Sequence, residues 1–277
     1  MKRRGLCLAA MAAASLGACI PYPPELMEHE GAGSSQYALV EGAYPGLDAG
    51  ASEVASLHFK VHAYGAAVAQ QTSDACESTY TRLLTDTGLY TYVPRGVFDV
   101  VVYGSQDEYR KKTGQPEWSP GTFIGVTIYT FYSPILDGVV AHQLSHMIWL
   151  DYMGGRLGDP QRWINEGLAV YEDSKARPRG GDMFANLLPA LRTAPMPMDQ
   201  MQNIAPNTER GYDSSLWYAE AVSLVAFMIE HGGRIGFGQF LTATQQGQPF
   251  DAAIYAAYPG QWHSLEDVYN AWKASLQ

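Results

Sequence analysis

Hydrophobic and polar residues alternate in short stretches of the first half of the chain, as they do in β-strands. Residues 57–63 carry apolar side chains at every second position, which predicts a half-buried strand with His58 and His62 on its solvent face. Residues 97–103 are almost continuously apolar between two glycines, so they predict a buried strand. Residues 126–132 alternate again and predict a third strand.

Helical periodicity replaces this alternation in one long early segment and throughout the second half of the chain. A capping box from Ser105 to Glu108 opens a further short helix. The predicted helical segments are residues 66–87, 139–150, 163–171, 182–192, 213–231, 235–244 and 264–276. Together the elements predict an α+β fold, in which a small mixed β-sheet lobe carrying the helix of residues 139–150 precedes an all-helical C-terminal lobe.

The chain begins with basic residues and a short apolar run, as secretory signals do. Residues 16–19, Leu-Gly-Ala-Cys, resemble the bacterial lipobox, in which the cysteine is lipidated and becomes the first mature residue. We therefore expect a lipoprotein signal peptide at residues 1–18 and a lipid anchor on Cys19. Ile20 is not the aspartate of inner-membrane retention, so we expect a cell-envelope protein on the outer membrane, facing the periplasm. An ordinary signal cleaved elsewhere is the alternative.

The residues after the signal divide into a linker and a domain. Residues 19–53 are rich in Pro, Gly, Ala and Ser and show little periodicity, so they predict a flexible tether. Residues 54–277 form the predicted folded domain, and the chain's apolar content of 47% supports one substantial core or two closely packed lobes. No second apolar run approaches the ~20 residues that a membrane helix requires.

Charge and cysteine content exclude two classes of protein. The chain has 18 basic and 28 acidic side chains, and removal of the signal's three basic residues leaves 15 against the same 28. Such an acidic domain argues against nucleic-acid binding, which needs basic patches. After processing, Cys76 is the single free thiol, so a disulfide framework is excluded. Its position in a helical pattern predicts a small buried hydrophobe.

The candidate chemistry lies in residues 135–175. His142 and His146 are four residues apart in a helical run, so both imidazoles point to one face. Glu166, in the next helical run, can add a carboxylate as third ligand and leave one coordination position open, as catalytic zinc sites do. The histidine pair alone is weak evidence, since two such histidines also occur by coincidence on helices. A second pair, His58 and His62, offers a less favoured metal site.

The wider sequence resembles a known family. His-Gln-Leu-Ser-His at residues 142–146, followed by Trp-Ile-Asn-Glu-Gly-Leu-Ala at residues 163–169, is similar to the zinc metallopeptidases of the gluzincin type, and most to the peptidase MA-like family. The resemblance implies a zincin-like fold with zinc held by His142, His146 and Glu166. It also implies that an extended peptide lies along the strand preceding the metal helix, the helix that carries His142 and His146. A further implication is that Tyr218 donates a hydrogen bond to the developing oxyanion, with Tyr212 as the competing candidate.

One position departs from the family pattern. Gln143 stands where the family has the glutamate that takes a proton from the attacking water, and an amide cannot take that proton. Glu172 and Asp173 are nearby carboxylates, which we expect to be solvated or to support the ligands. The sequence therefore predicts a zinc metallopeptidase domain with impaired peptide hydrolysis. The alternative is an inactive pseudopeptidase that binds a peptide, a protein partner or an envelope component.

Overall fold

The computed structural model of the protein describes residues 44–154, 161–177, 187–203 and 214–277. Its strands are β1 (Ser52–Ala55), β2 (Phe59–Ala63), β3 (Phe98–Tyr103), β4 (Gly121–Ile124) and β5 (Thr127–Phe131). They form a mixed sheet in the order β1-β2-β3-β5-β4. The central strands β2, β3 and β5 are parallel, while β1 and β4 pair antiparallel with their neighbours.

Helices make up most of the remaining described chain. They are α1 (Ala66–Thr87), α2 (Gln106–Thr113), α3 (Leu136–Met153), α4 (Arg162–Ala176), α5 (Leu188–Thr193), α6 (Met198–Asn203), α7 (Ser214–Gly232), α8 (Arg234–Gln245), α9 (Phe250–Ala257) and α10 (Leu265–Ser275). The small sheet and the mostly helical remainder confirm the predicted α+β class. Within the described ranges, we find no helix that combines the length and apolar character of a membrane span.

Most predicted elements are present, and the differences concern short ones. Helix α1 has the predicted bounds, and Ser105 caps α2 by accepting a hydrogen bond from the Glu108 backbone. The Glu108 carboxylate bonds the backbone of Gly104 instead of closing the capping box on Ser105. Helices α6 and α9 were not predicted, because six and eight residues are too few to reveal a helical period. Residues 182–186 of the predicted helix 182–192 lie outside the described residues.

The strand predicted at residues 57–63 is observed as β2 and is shorter than its alternation predicts. Leu57 is 80% exposed, because the chain turns there before β2 begins. His58 lies in this turn, where its ring stacks on Tyr80 and bonds Glu77 on α1. His62 instead lies near carboxylates of β1 and β3. The two histidines thus have different partners, and the structure does not support a metal site between them.

Strand β5 is an interior strand of the sheet, buried on both faces. Ile128, Tyr129 and Thr130 are all buried, because both faces of β5 are covered and its side chains do not alternate in exposure. The strand immediately before the metal helix was also expected to be the sheet edge. The edge strand on this side is β4, which pairs with β5 alone.

The folded unit starts upstream of residue 54. Tyr44 packs edge-on against Tyr129, with 5.1 Å between ring centroids, and the Pro45 carbonyl accepts a hydrogen bond from Tyr103. Lys112 bonds the Gly46 carbonyl and Asp48. The last residues assigned to the tether therefore contact the sheet. The signal peptide, Cys19 and the rest of the tether lie outside the described residues.

Two hydrophobic cores meet at α3. Leu144 and Ile148 belong to the core under the sheet, whereas Trp149 and Met153 belong to the core of the helical lobe. Cys76 is fully buried in the first core, as predicted, and burial raises the pKa of its thiol.

A buried carboxylate also links the two lobes. Asp86, near the end of α1, accepts from Lys175 of α4 at 2.6 Å and from Arg234 of α8 at 2.8 Å. Close beside it, α1 and α8 approach so tightly that a Cβ on Gly88 would lie 2.1 Å from the Arg234 carbonyl oxygen. Gly88 also has a φ of 70°, a conformation that favours glycine. Side-chain and backbone contacts therefore hold α1 and α8 together.

Candidate metal centre

Helix α3 carries two buried histidines on one face. His142 and His146 are one helical turn apart, so their rings lie on the same side of the helix, edge to face. The ring centroids are 4.7 Å apart, and the two Nε2 atoms are 3.0 Å apart. The exposed fractions are 4% and 1%. Both imidazoles therefore present Nε2 to the same point inside the protein.

Helix α4 places a carboxylate at that point. Glu166 Oε2 is 3.8 Å from His146 Nε2, and Glu166 is fully buried. One ligand atom from each of His142, His146 and Glu166 lies within 4.8 Å of the others. In the part of the chain that the structure describes, this is the group of His, Cys, Asp or Glu side chains able to hold a metal ion.

The histidines are held in the form that binds metal. His146 Nδ1 lies 3.0 Å from Asn165 Oδ1, so Nδ1 carries the proton and Nε2 keeps its lone pair. Burial lowers the pKa of both His142 and His146 to about 3, since a charged imidazole would lose its hydration there. Both rings are therefore neutral at physiological pH, as metal ligands must be.

Glu166 supplies the test of whether these residues fit a cation. Burial raises the pKa of its carboxyl to about 8, while the nearby Arg162 charge and the Tyr218 hydroxyl act in the opposite direction. Neither carboxylate oxygen has a hydrogen-bond partner of ordinary geometry among the described residues. A buried carboxylate with two unsatisfied oxygens is costly unless a cation binds it. The donor set of two neutral imidazoles and this carboxylate fits a divalent metal ion.

Gly167 explains how α4 reaches this position. A Cβ on Gly167 would lie 2.5 Å from the Ala221 carbonyl oxygen of α7, so no side chain fits between the two helices. Asn165, Glu166 and Gly167 thus differ in what they do: Asn165 orients His146, Glu166 is a candidate metal ligand, and Gly167 permits contact with α7.

Comparison with known proteins agrees with this arrangement. The model of the Peptidase MA superfamily matches residues 67–277, which include α3, α4 and the whole helical lobe. The chain belongs to the Peptidase MA superfamily. Proteins of this superfamily are typically metal-dependent, in keeping with the donor set of His142, His146 and Glu166. No curated protein matches the chain.

Two further predicted site residues of this Peptidase MA domain are also buried. Gln143 lies on α3 beside His142 and is 6% exposed. Tyr218 is 3% exposed on α7, and its hydroxyl is close enough to Glu166 to favour the carboxylate form. Tyr218 thus packs where α7 meets α4, and its predicted role as an oxyanion donor stays a prediction. Tyr212 lies outside the described residues.

The two neighbouring carboxylates are not solvated. Glu172 is fully buried and accepts from Arg82 Nε at 2.8 Å. Asp173 is 6% exposed and binds two guanidinium nitrogens of Arg177 at 2.6 and 2.9 Å. Each carboxylate is committed to an arginine, so neither is arranged to replace the missing base.

Sequence reasoning missed two residues beside His142, His146 and Glu166, which together form the candidate metal group. Arg162 begins α4 one turn before Glu166, and that i, i+4 spacing was a usable signal. Phe123 of the edge strand β4 lies with its ring roughly parallel to the His146 ring, 6.4 Å between centroids. No sequence spacing predicts this contact, because it depends on how the sheet packs against α3.

Glu166 should make the stability of the metal-free protein depend on pH. Its carboxyl has a pKa of about 8 in the folded protein and an ordinary value of 4.5. The unfolded chain therefore loses this proton first, and the free energy of unfolding falls as pH rises from about 4.5 to about 8. Glu166→Gln should remove this fall and stabilise the metal-free protein near pH 8 by on the order of a few kcal/mol.

The measurement is urea unfolding of both proteins in a chelator between pH 5 and pH 8.5. The buried histidines are present in both proteins, so their contribution cancels in the difference. Identical pH profiles for wild type and variant would contradict a raised pKa at the buried Glu166 carboxyl.

Proposed function

We propose that this protein is an exported, lipid-anchored zinc metallopeptidase of the gluzincin type whose peptide hydrolysis is impaired. The observation that carries the proposal is the buried group of His142, His146 and Glu166, with a glutamine beside it at the position of the base. The chain's membership of the Peptidase MA superfamily supports a peptide as ligand.

Zinc is the metal that suits this donor set best. Two imidazole nitrogens and one carboxylate oxygen are common ligands of catalytic zinc, which keeps a fourth position open. A bound zinc ion would act as a Lewis acid towards a peptide carbonyl and towards water. The chain's own contribution is to hold neutral imidazoles, fix His146 through Asn165 and exclude bulk water.

A peptide ligand is best accommodated along β4. This strand is a sheet edge, and the backbone groups on its outer side can pair with an extended chain. Phe123 of β4 lies next to His146, so a peptide added to this edge would pass the metal group. The edge position of β4 supports a zincin-like mode of binding, with the peptide on β4 and not on β5.

Gln143 limits the chemistry. Its carboxamide can orient a water molecule or a peptide group by hydrogen bonding, but it cannot accept a proton. General-base catalysis contributes roughly 10²–10⁴-fold to such reactions, so hydrolysis should be slower by about that factor. Binding of zinc and peptide does not need a base and should persist.

A second candidate function is favoured by Glu172 and Asp173. Both carboxylates are held by arginines, so no substitute base is arranged in their part of the site. On this view the protein is a pseudopeptidase, which uses zinc and the edge of β4 to bind a peptide, a protein partner or an envelope component.

The cell envelope is the proposed location. Lipidation of Cys19 would tether the domain to the outer membrane on its periplasmic side. The segment between Cys19 and the first described residue, Tyr44, would give a flexible chain a span of roughly 25–30 Å.

The wild-type protein should contain about one zinc ion per chain. His142→Ala, His146→Ala and Glu166→Ala should each lose it, because each removes a ligand. Gln143→Ala should retain it and is the matched control. Elemental mass spectrometry after mild dialysis measures the content. A folded wild-type protein that neither contains nor takes up zinc would refute the site.

Gln143→Glu should restore hydrolysis. The two side chains have nearly the same shape, so the variant gains a proton acceptor with little change in packing. Cleavage of an unstructured peptide library should rise by roughly 10²-fold or more, and a chelator should abolish it. The double variant Gln143→Glu/Glu166→Ala is the control for cleavage without metal.

Two other results would change the conclusion. A Gln143→Glu variant that holds zinc and cuts nothing would favour the pseudopeptidase. Ordinary hydrolysis rates in the wild type would show that position 143 is not the base.

Cys19→Ser should abolish labelling of the protein by a fatty-acid probe in cells, because the thiol is the acylated atom. The measurement is probe incorporation compared between wild type and variant, with Cys76→Ser as the control that keeps the lipobox. Equal labelling of wild type and Cys19→Ser would exclude the lipid anchor.

A further inference from the structure

Arg162 lies beside the metal group without belonging to it. It is the first residue of α4 and stands one helical turn before Glu166, so both side chains are on the same face of the helix. Its charge lowers the pKa of Glu166 and of His146, which places the guanidinium within electrostatic reach of two of the three ligands.

Arg162 lacks the carboxylate partner that five other described arginines have. Its Nε is buried. Among the described residues this nitrogen has no hydrogen-bond partner, and no carboxylate lies within salt-bridge distance of the side chain. Arginines that do pair with a carboxylate are Arg82, Arg95, Arg110, Arg177 and Arg234. A buried guanidinium N–H without an acceptor is costly, and none of the described residues supplies one, so Arg162 can receive an acceptor from a ligand.

The charges around the group indicate what that acceptor is. A divalent metal ion and the Glu166 carboxylate leave one net positive charge, and Arg162 adds a second close by. Arg177, whose charge also acts on His142, is already held by both oxygens of Asp173. An anion beside Arg162 would balance the excess charge. The planar fork of an arginine matches a carboxylate, with two parallel hydrogen bonds.

We propose that Arg162 is a specificity-determining residue that binds a carboxylate of the peptide ligand beside the metal group. This inference rests on the proposed peptide-binding function and narrows its ligand class. The carboxylate belongs either to the C-terminus of the peptide or to an acidic side chain, and both present the same group to the arginine.

Binding to the zinc-loaded wild-type protein tests the proposal, since Gln143 keeps hydrolysis slow. The probes are three versions of one unstructured peptide with an uncharged fluorophore: one with a free C-terminal carboxylate, one with a C-terminal amide, and one with the amide and a single internal glutamate. Fluorescence anisotropy gives the affinities. The wild type should bind at least one carboxylate-bearing peptide about 10-fold or more tighter than the neutral peptide.

Arg162→Gln should remove this preference and leave binding of the neutral peptide unchanged. Arg162→Lys should restore part of it, because the charge remains and the fork is lost. Arg192→Gln, on the exposed side of α5, is the matched control and should bind as wild type. The peptide whose binding depends on Arg162 identifies the source of the carboxylate.

Zinc content, measured on every variant, separates a ligand-binding role from a structural one. Arg162→Gln should keep its zinc, because removing a positive charge beside a cation does not weaken the site. Loss of zinc in this variant would overturn the proposal. So would a wild type that binds charged and neutral peptides equally, although peptide binding itself would then stand. A zinc-loaded wild type that binds none of the peptides would reject the proposed function and this inference with it.

Discussion

The contact between α3 and α4 is the constraint on which the site depends. It brings two imidazoles and the Glu166 carboxylate together where water is excluded, and a buried charge is tolerated only with a partner. The sheet supports α3 from one side and α7 supports α4 from the other. Gly167 permits that second contact, because any side chain there would meet the backbone at Ala221. The two lobes therefore support α3 and α4 from opposite sides.

Sequence reasoning reached the metal group because its signals are local. The spacing of His142 and His146 needs only the period of a helix, and Asn165 to Gly167 form a contiguous motif. Sequence reasoning failed where the burial or the pairing of a residue depended on which elements pack against it. The burial of β5 follows from strand order, and the pairing of Glu172 follows from the position of Arg82 on another helix. The isolated charge of Arg162 is likewise visible only once the surrounding residues are in place.

The site contains a complete set of candidate metal ligands but has no proton acceptor at position 143. Neutral histidines and a buried carboxylate destabilise the metal-free fold, and a ligand that binds only the native state offsets that destabilisation. The protein therefore keeps the features that favour metal binding while Gln143 lacks the proton acceptor. On the proposed function, holding a metal and cutting a peptide would be separable properties, because the metal would depend on His142, His146 and Glu166 and the proton transfer on position 143.

The ion pairs of Asp86 restrict the movement of the two lobes relative to each other. It receives Lys175 and Arg234 on the two oxygens of a buried carboxylate, and so fastens α1 of the sheet lobe to α4 and α8. Gly88 adds a direct backbone contact between α1 and α8. A hinge motion between the lobes would have to separate Lys175 and Arg234 from the buried Asp86 carboxylate. It would also have to separate the closely packed backbones of α1 and α8. The two lobes should therefore move as one rigid body, and a ligand proposed for the metal group would have to enter without a hinge opening between them.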